Sequence, residues 1–335
     1  MSEIKIIRNS ELLEKVVMID GFPGCGKTML SPIISSFDRV EIMQYSDTIE
    51  QVSELFFLQK ISKDVAVTML KTHADQLLYK ACMGRDINCR PSDLSSIFKN
   101  KPVKYIRRML SKGDEHIPIR VKKEKPILNL TTHMLYPNVD LLFETFGKKL
   151  FFIEVVRNPL YMIIQKEKNF DMYKGNRTGH INYEYNKNEY TFFSKGWEKI
   201  FDQLNTFEKA IYTVDWYFEY IYKFINSGSI IIPFEKFVIN PNHFLGIISK
   251  KLSSPISKNV KKMMKMQKIP RKFINDAPSL EIYKRCGWEP PKFYDEKLES
   301  QARREILKLK ISKESLKVLD NMVEKYNKTF LEDNV

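Results

Sequence analysis

The run Gly21-Phe22-Pro23-Gly24-Cys25-Gly26-Lys27-Thr28 fits the spacing G-x-x-x-x-G-K-T, the ATP-type Walker A pattern. The chemistry it can do is phosphate binding. Its glycines let backbone N–H groups converge on phosphate oxygens, Lys27 can set its ammonium on the outer phosphates, and Thr28 can offer a hydroxyl to a metal ion or a phosphate oxygen. Two more groups stand where apolar runs stop. His133 follows Pro126-Ile127-Leu128-Asn129-Leu130-Thr131-Thr132, and an imidazole titrates close enough to neutrality to take a proton during group transfer. Arg157 opens Arg157-Asn158-Pro159 after Leu150-Phe151-Phe152-Ile153-Glu154-Val155-Val156, and a guanidinium offers phosphate a planar fork.

Each of these residues has a structural reading beside the functional one. His133 could cap a helix or sit in the core, and Arg157 could pair with Glu154 or Glu235. Glu154 falls mid-strand and needs a partner. Asp20, just before the loop, is expected to orient loop amides rather than to do chemistry.

The elements that must hold these groups alternate strand and helix, the pattern of a parallel sheet covered by helices. Strands are expected over 15–20, 40–45, 126–132, 149–156 and 229–234, and helices over 29–37, 138–146, 160–168, 197–224 and 240–252. A polar stop at the C-terminal end of a buried strand is where open α/β sheets place ligand contacts. The chain thus reads as a single three-layer α/β P-loop domain over 1–335, a parallel sheet with helices on both faces and with helical insertions. A helical and basic insertion is expected over 47–125, with Asp64 and Ser92 near helix caps and Pro91 at a break, and two C-terminal helices over 297–330. The segment 169–194, rich in Asn, Tyr, Gly and Lys, reads as a long surface loop acting as a lid over the acceptor site.

Composition bounds the rest. A chain of 335 residues with 43% hydrophobic and 29% charged residues is ordinary for a globular protein, and no apolar run approaches the ~20 residues that span a bilayer. The first residues show no basic stretch followed by an apolar core, so a cytoplasmic location is expected. Cys25, Cys82, Cys89 and Cys286 lack metal-site spacing and clustered histidines, and no metal site is expected. A net charge of +14 is compatible with a nucleic acid, an acidic membrane surface or an anionic small substrate. In the densest basic stretch, 101–125, aromatic residues are not interleaved as a series for base stacking, Tyr105 standing alone, and the stretch reads as a solvated helix and loop, which argues against nucleic acid.

From Pro126 onward the chain resembles the sulfotransferases that use 3′-phosphoadenosine 5′-phosphosulfate (PAPS). In that family a strand ending in Thr-His precedes a short helix, a buried strand, an Arg-Asn or Arg-Asp pair and another helix. Thr132-His133, the helix to Phe146, the strand to Val156 and Arg157-Asn158-Pro159 follow in that order. The later run from Ile230 through Pro233-Phe234-Glu235 to Asn240-Pro241 looks like the family's next strand and its acidic, Asp-Pro-like stretch. The resemblance implies that Phe22, Pro23, Gly24, Cys25, Gly26, Lys27 and Thr28 bind the 5′-phosphosulfate. It implies that Lys27 steadies charge on the bridging oxygen, that Arg157 pairs with the 3′-phosphate, and that His133 is the base toward a hydroxyl or amine acceptor. No metal is then needed.

Two positions depart from the family pattern. Gln165 stands where a serine usually gives a second 3′-phosphate contact, and Gly24 rather than lysine follows Pro23. Lys268, Arg271 and Lys272 are candidates to close on the 3′-phosphate from the C-terminal side. Two other readings stay open. One is a P-loop kinase or phosphotransferase using Mg-ATP, with Lys27 on the β/γ-phosphates, Thr28 on the metal and Asp47 or Glu154 as acidic partner; the other is a nucleotide-dependent binding or switch protein. The acceptor, whether small molecule, glycan or lipid, and the oligomeric state are not readable from the sequence.

Overall fold

The computed structural model describes residues 4–173, 181–275 and 289–332. Val16–Gly21 (β1), Leu128–Thr131 (β3) and Leu150–Val156 (β4) are buried along their whole length. Unbroken apolar runs rather than alternating ones are what a strand covered on both faces requires. β3 and β4 flank β1 in parallel. Gln44–Tyr45 (β2) and Ile230–Pro233 (β7) add the two edges, giving the order β2-β3-β1-β4-β7.

Side-chain direction separates the two faces. Asp20 and Glu154 are register neighbours, and both meet Tyr217 of Thr206–Lys223 (α9). Asn129 and Thr131 point the other way, to Ser35 and Ser31 of Lys27–Ser35 (α1). Helices therefore cover both faces, and the three-layer α/β expectation holds. The 47–125 stretch is helical, as Asp47–Phe57 (α2), Lys63–Met83 (α3), Pro102–Met109 (α4) and Ile117–Glu124 (α5). The C-terminal pair is Glu296–Lys308 (α13) and Lys313–Tyr326 (α14).

Four expectations are corrected. The strand expected over 40–45 shrinks to Gln44–Tyr45 plus one isolated bridge, Val40 to Ile127. The reason is Glu41: its buried carboxylate is drawn to Lys104, Tyr105 and Arg108, and Ile42 N–H donates to Tyr105 Oη at 2.9 Å instead of joining a ladder. The same cluster corrects the basic stretch, because Arg108 is buried against Glu41 and Glu124 rather than solvated.

The single helix expected over 197–224 is two, Glu198–Gln203 (α8) and α9. Leu204 ends the first in extended backbone, and Asn205 starts the second, accepting from the backbone N–H of Phe207 and Glu208 while the Glu208 carboxylate accepts from the Asn205 N–H. Finally, the loop expected over 169–194 carries structure at both ends; its residues 174–180 lie outside the described ones. Pro159–Tyr173 (α7) runs into it, and Asn182–Tyr185 (β5) pairs antiparallel with Asn188–Thr191 (β6). The hairpin turns on Asn186 and Lys187, both at positive φ (51° and 65°), as a two-residue turn of primed type requires. Tyr190, Phe192 and Phe193 are buried in the main core.

Candidate functional site

The parallel register brings the ends of β1, β3 and β4 to one rim, and the expected residues stand there. The loop leaves β1 at Gly21, and Gly26 at φ +106° caps α1. Gly24 and Gly26 are required as glycines. A Cβ on Gly24 would lie 1.9 Å from Gln165 Oε1, and one on Gly26 would lie 2.4 Å from the Phe234 ring. Both have φ values that favour glycine, +92° and +106°.

Lys27 is 3% exposed, and its Nζ donates to Gly21 O at 2.8 Å and Phe22 O at 3.3 Å. The ammonium thus closes over its own loop and must release these carbonyls to reach a phosphate. Phe22 turns inward, 5.6 Å from the Tyr217 ring, so only its backbone faces a ligand. Cys25 is fully buried, and burial pushes its thiol up to about 11, which leaves it unreactive at neutral pH. Pro23 and Thr28 are part-exposed on the same turn.

Arg157, one residue past β4, lies between two rings, its guanidinium carbon 4.4 Å from the Tyr161 centroid and 4.3 Å from that of Phe234. Its Nη1 donates to Gly24 O at 3.3 Å. The alternative pairing with Glu154 or Glu235 does not form among the described residues. Glu235 instead accepts from Asn158 N–H at 2.9 Å and from Tyr326 Oη at 2.6 Å, so a C-terminal helix steadies the turn that carries Arg157. Arg271 also lies over the Phe234 ring, at 5.5 Å, and bonds Ile274 O and Met29 Sδ of α1. Lys272 does not join this cluster; it is exposed, 5.4 Å over Phe273.

Two buried atoms here, Arg157 Nε and Gln165 Oε1, have no hydrogen-bond partner among the described residues. Unpaired buried polar atoms beside a glycine cradle are what a bound anionic group would satisfy, the amide of Gln165 turning its N–H inward. The residues present therefore fit a phosphate or a similar anionic group.

His133 is positioned by β1. Asp20 Oδ1 accepts from Thr132 Oγ1 at 2.9 Å and Oδ2 from Leu135 N–H at 2.7 Å, pinning the chain on both sides of the histidine to the residue before the loop. Asp20 thus orients the His133 turn rather than the loop amides. The imidazole is one-third exposed, stacks on Tyr45 with ring centroids 6.3 Å apart, and puts Nδ1 2.9 Å from Glu50 Oε1. That same oxygen accepts the His133 backbone N–H at 2.9 Å. Glu50 was not singled out in the sequence, and nothing but its place in the first turn of α2 marks it there.

Below the loop, Tyr217 Oη lies 3.1 Å from Asp20 Oδ2 and 2.9 Å from Glu154 Oε1. Burial pushes both carboxyls up, Glu154 well above the usual carboxylate range because the Asp20 charge adds to it. Lys27 draws Asp20 back down. Ionisation of Glu154 is thus disfavoured where it faces Tyr217, which makes it a poor metal ligand. Among the described residues no group of three or more His, Cys, Asp or Glu side chains is arranged to hold a metal ion. A second residue missed in the sequence is Lys166 of α7, buried 5.5 Å from the Phe22 ring, 4.9 Å from Phe170 and 4.2 Å from Phe193. Burial pushes its ammonium down to about 7.

No protein-family model matches the chain, and no curated protein matches it either. Among solved structures, the chain is similar to the sulfotransferase domain of the Synechococcus PCC 7002 olefin synthase, at 10% identity and a TM-score of 0.43, over 92% of this chain and 100% of that one. It is similar to a sulfotransferase from Mycobacterium avium at 10% identity and a TM-score of 0.40, over 96% of this chain and 78% of that one. A mouse sulfotransferase complexed with PAP matches at 10% identity and a TM-score of 0.36, over 96% of this chain and 87% of that one. The similarity found is thus to sulfotransferases, at low identity.

Proposed function

We propose that this chain transfers a sulfuryl group from PAPS to a hydroxyl or amine acceptor. The observation that carries this reading is the Asp20 carboxylate, which ties the His133 turn to the mouth of the phosphate loop, while Arg157 reaches the loop from β4 through Gly24 O. PAPS supplies an activated sulfuryl group on a phosphate leaving group. The backbone N–H groups of Gly24 to Thr28 and the α1 dipole would hold the 5′ end, and Lys27 would offset the charge left on the bridging oxygen. Arg157, with Gln165 and Arg271 beside it, would anchor the 3′-phosphate. Lys272, pointing elsewhere, is dropped from this set.

His133 would take the acceptor's proton. A carboxylate oxygen can only accept, so Glu50 keeps the ring proton on Nδ1 and leaves the Nε2 lone pair as the basic site. Glu50 is thus a positioning residue. The experiment is calorimetry with the desulfated product PAP and with Mg-ATP. Tight PAP binding that is unchanged by EDTA and weakened at least about tenfold in Arg157→Ala supports the reading. Tight Mg-ATP binding with none for PAP would replace it with the phosphotransferase alternative.

A further inference from the structure

Helix α4 is inside out. Except for Arg107, its polar side chains face the protein: Tyr105 and Arg108 are buried, and Lys104 Nζ and Arg108 Nη1 hold Glu41 at 2.8 and 2.7 Å. Lys101, at its N-cap, donates to Phe37 O and Val40 O, both at 2.6 Å. The apolar side chains face water. Val103 is 66% exposed, Ile106 42%, Met109 53% and Leu110, just past the last turn, 83%.

Positions 103, 106 and 110 are three and four apart and share one helix face. Phe98, ahead of the helix, and Ile119, in α5, are exposed as well. A surface helix ordinarily turns this face to the core, and a contiguous exposed apolar patch marks an interaction site. The buried ion cluster explains why this helix cannot simply roll over: doing so would strand the fully buried Glu41 without its cations.

The patch also has a sign. Arg107 is exposed within it, and Lys112, Lys122, Lys123 and Lys125 are exposed just downstream. Of the carboxylates in this stretch, Glu124 is paired with Arg108 at 2.6 Å, leaving Asp114, which accepts from Tyr79 Oη at 2.7 Å, and Glu115 against these five cations. A second copy of the chain would set cations against cations. An anionic bilayer complements both features at once: apolar side chains enter the boundary between headgroups and acyl chains while lysines and arginines meet lipid phosphates. Among the described residues no helix is long and apolar enough to cross a membrane, so such contact would be peripheral.

We propose that α4 and the basic residues after it form a docking face for an anionic phospholipid surface. The test is flotation of the full chain with vesicles of phosphatidylcholine alone and of phosphatidylcholine mixed with phosphatidylserine. The chain should float with the mixed vesicles and far less with the neutral ones, and high salt should weaken the association. The triple variant Val103→Ser, Ile106→Ser, Leu110→Ser should lower the partition constant at least about tenfold, as should Arg107→Glu with Lys122→Glu and Lys123→Glu. Since all these side chains face water, circular dichroism should show both variants folded. Failure to float with either vesicle, or flotation that neither variant reduces, overturns the proposal. So does a solution dimer that the triple variant dissolves without any vesicle binding, because the face would then belong to a second copy.

Discussion

Glu50 holds His133 twice with one oxygen, at the backbone N–H and at Nδ1, each at 2.9 Å. One side chain therefore ties the histidine ring to its own main chain, while Asp20 pins the residues on either side. His133→Ala should lower the turnover of PAPS-dependent transfer by about 10²–10⁴-fold, the usual worth of a positioned base. Glu50→Gln, which can still hydrogen-bond but carries no charge, should lower turnover less. Both variants should keep wild-type affinity for PAP. Loss of PAP affinity in Glu50→Gln would make Glu50 a structural prop of the whole site instead.

Gly24 meets two constraints at once, a φ of +92° and the Gln165 side chain, which a Cβ would strike at 1.9 Å. Gly24→Ala should therefore lower thermal stability, and Gln165→Ala added to it should restore only part of that loss, because the backbone constraint stays. Calorimetry on the single and double variants reads the two contributions separately. Full recovery in the double variant would show that sterics alone decide.

Burial alone would push Glu41 up, but Lys104 and Arg108 outweigh it and hold the carboxyl down at about 2, below its ordinary 4.5. A carboxylate whose folded pKa is depressed stabilises the fold above the ordinary value, and that contribution is lost as pH falls through about 2. Glu41→Gln leaves Arg108 facing a neutral amide, and breaking a buried ion pair of this kind costs about 3–5 kcal/mol. Urea unfolding at neutral pH should show that loss, with the gap to wild type narrowing in acid. A gap below about 1 kcal/mol at neutral pH would mean that Glu124 alone satisfies Arg108.

Lys166 titrates in the opposite sense. Its ammonium is pushed down from 10.5 to about 7 by burial, so between these values the unfolded chain binds the extra proton. The Lys166 contribution to stability should therefore rise with pH from about 7 toward 10.5, against the opposing fall above 9.0 from the buried Cys25 thiol. Lys166→Met should flatten that rise, leaving the smaller slope due to Lys101, which burial also pushes down to about 7. Parallel slopes for wild type and variant in urea titrations across this range would remove Lys166 from the account.

The central strands were legible because they are buried on both faces and so stand out as mostly apolar runs, near-continuous in Leu150–Val156 and alternating in Leu128–Thr131, that end short of Arg157 and His133. What pairs with those residues was not legible. Glu50 meets His133 across 83 residues and Glu235 meets Asn158 across 77, separations that no local periodicity reports. The second strand misled for a related reason. Val40 to Tyr45 has strand composition, yet Glu41 in its middle belongs to an ion cluster with residues 104 and 108, which pulls the chain off the ladder. In 169–194 the abundance of Asn and Lys masked three aromatic residues, Tyr190, Phe192 and Phe193, that enter the core.

The order β2-β3-β1-β4-β7 leaves two rims of the sheet unpaired among the described residues. One rim is β2, only two residues long, and the other, β7, finishes at Pro233, which has no N–H to offer. A stray extended segment from another molecule finds almost no ladder to extend at either rim. The long, strongly apolar strands that could template aggregation are kept to the middle, so the layout guards the protein in crowded conditions as well as placing its site.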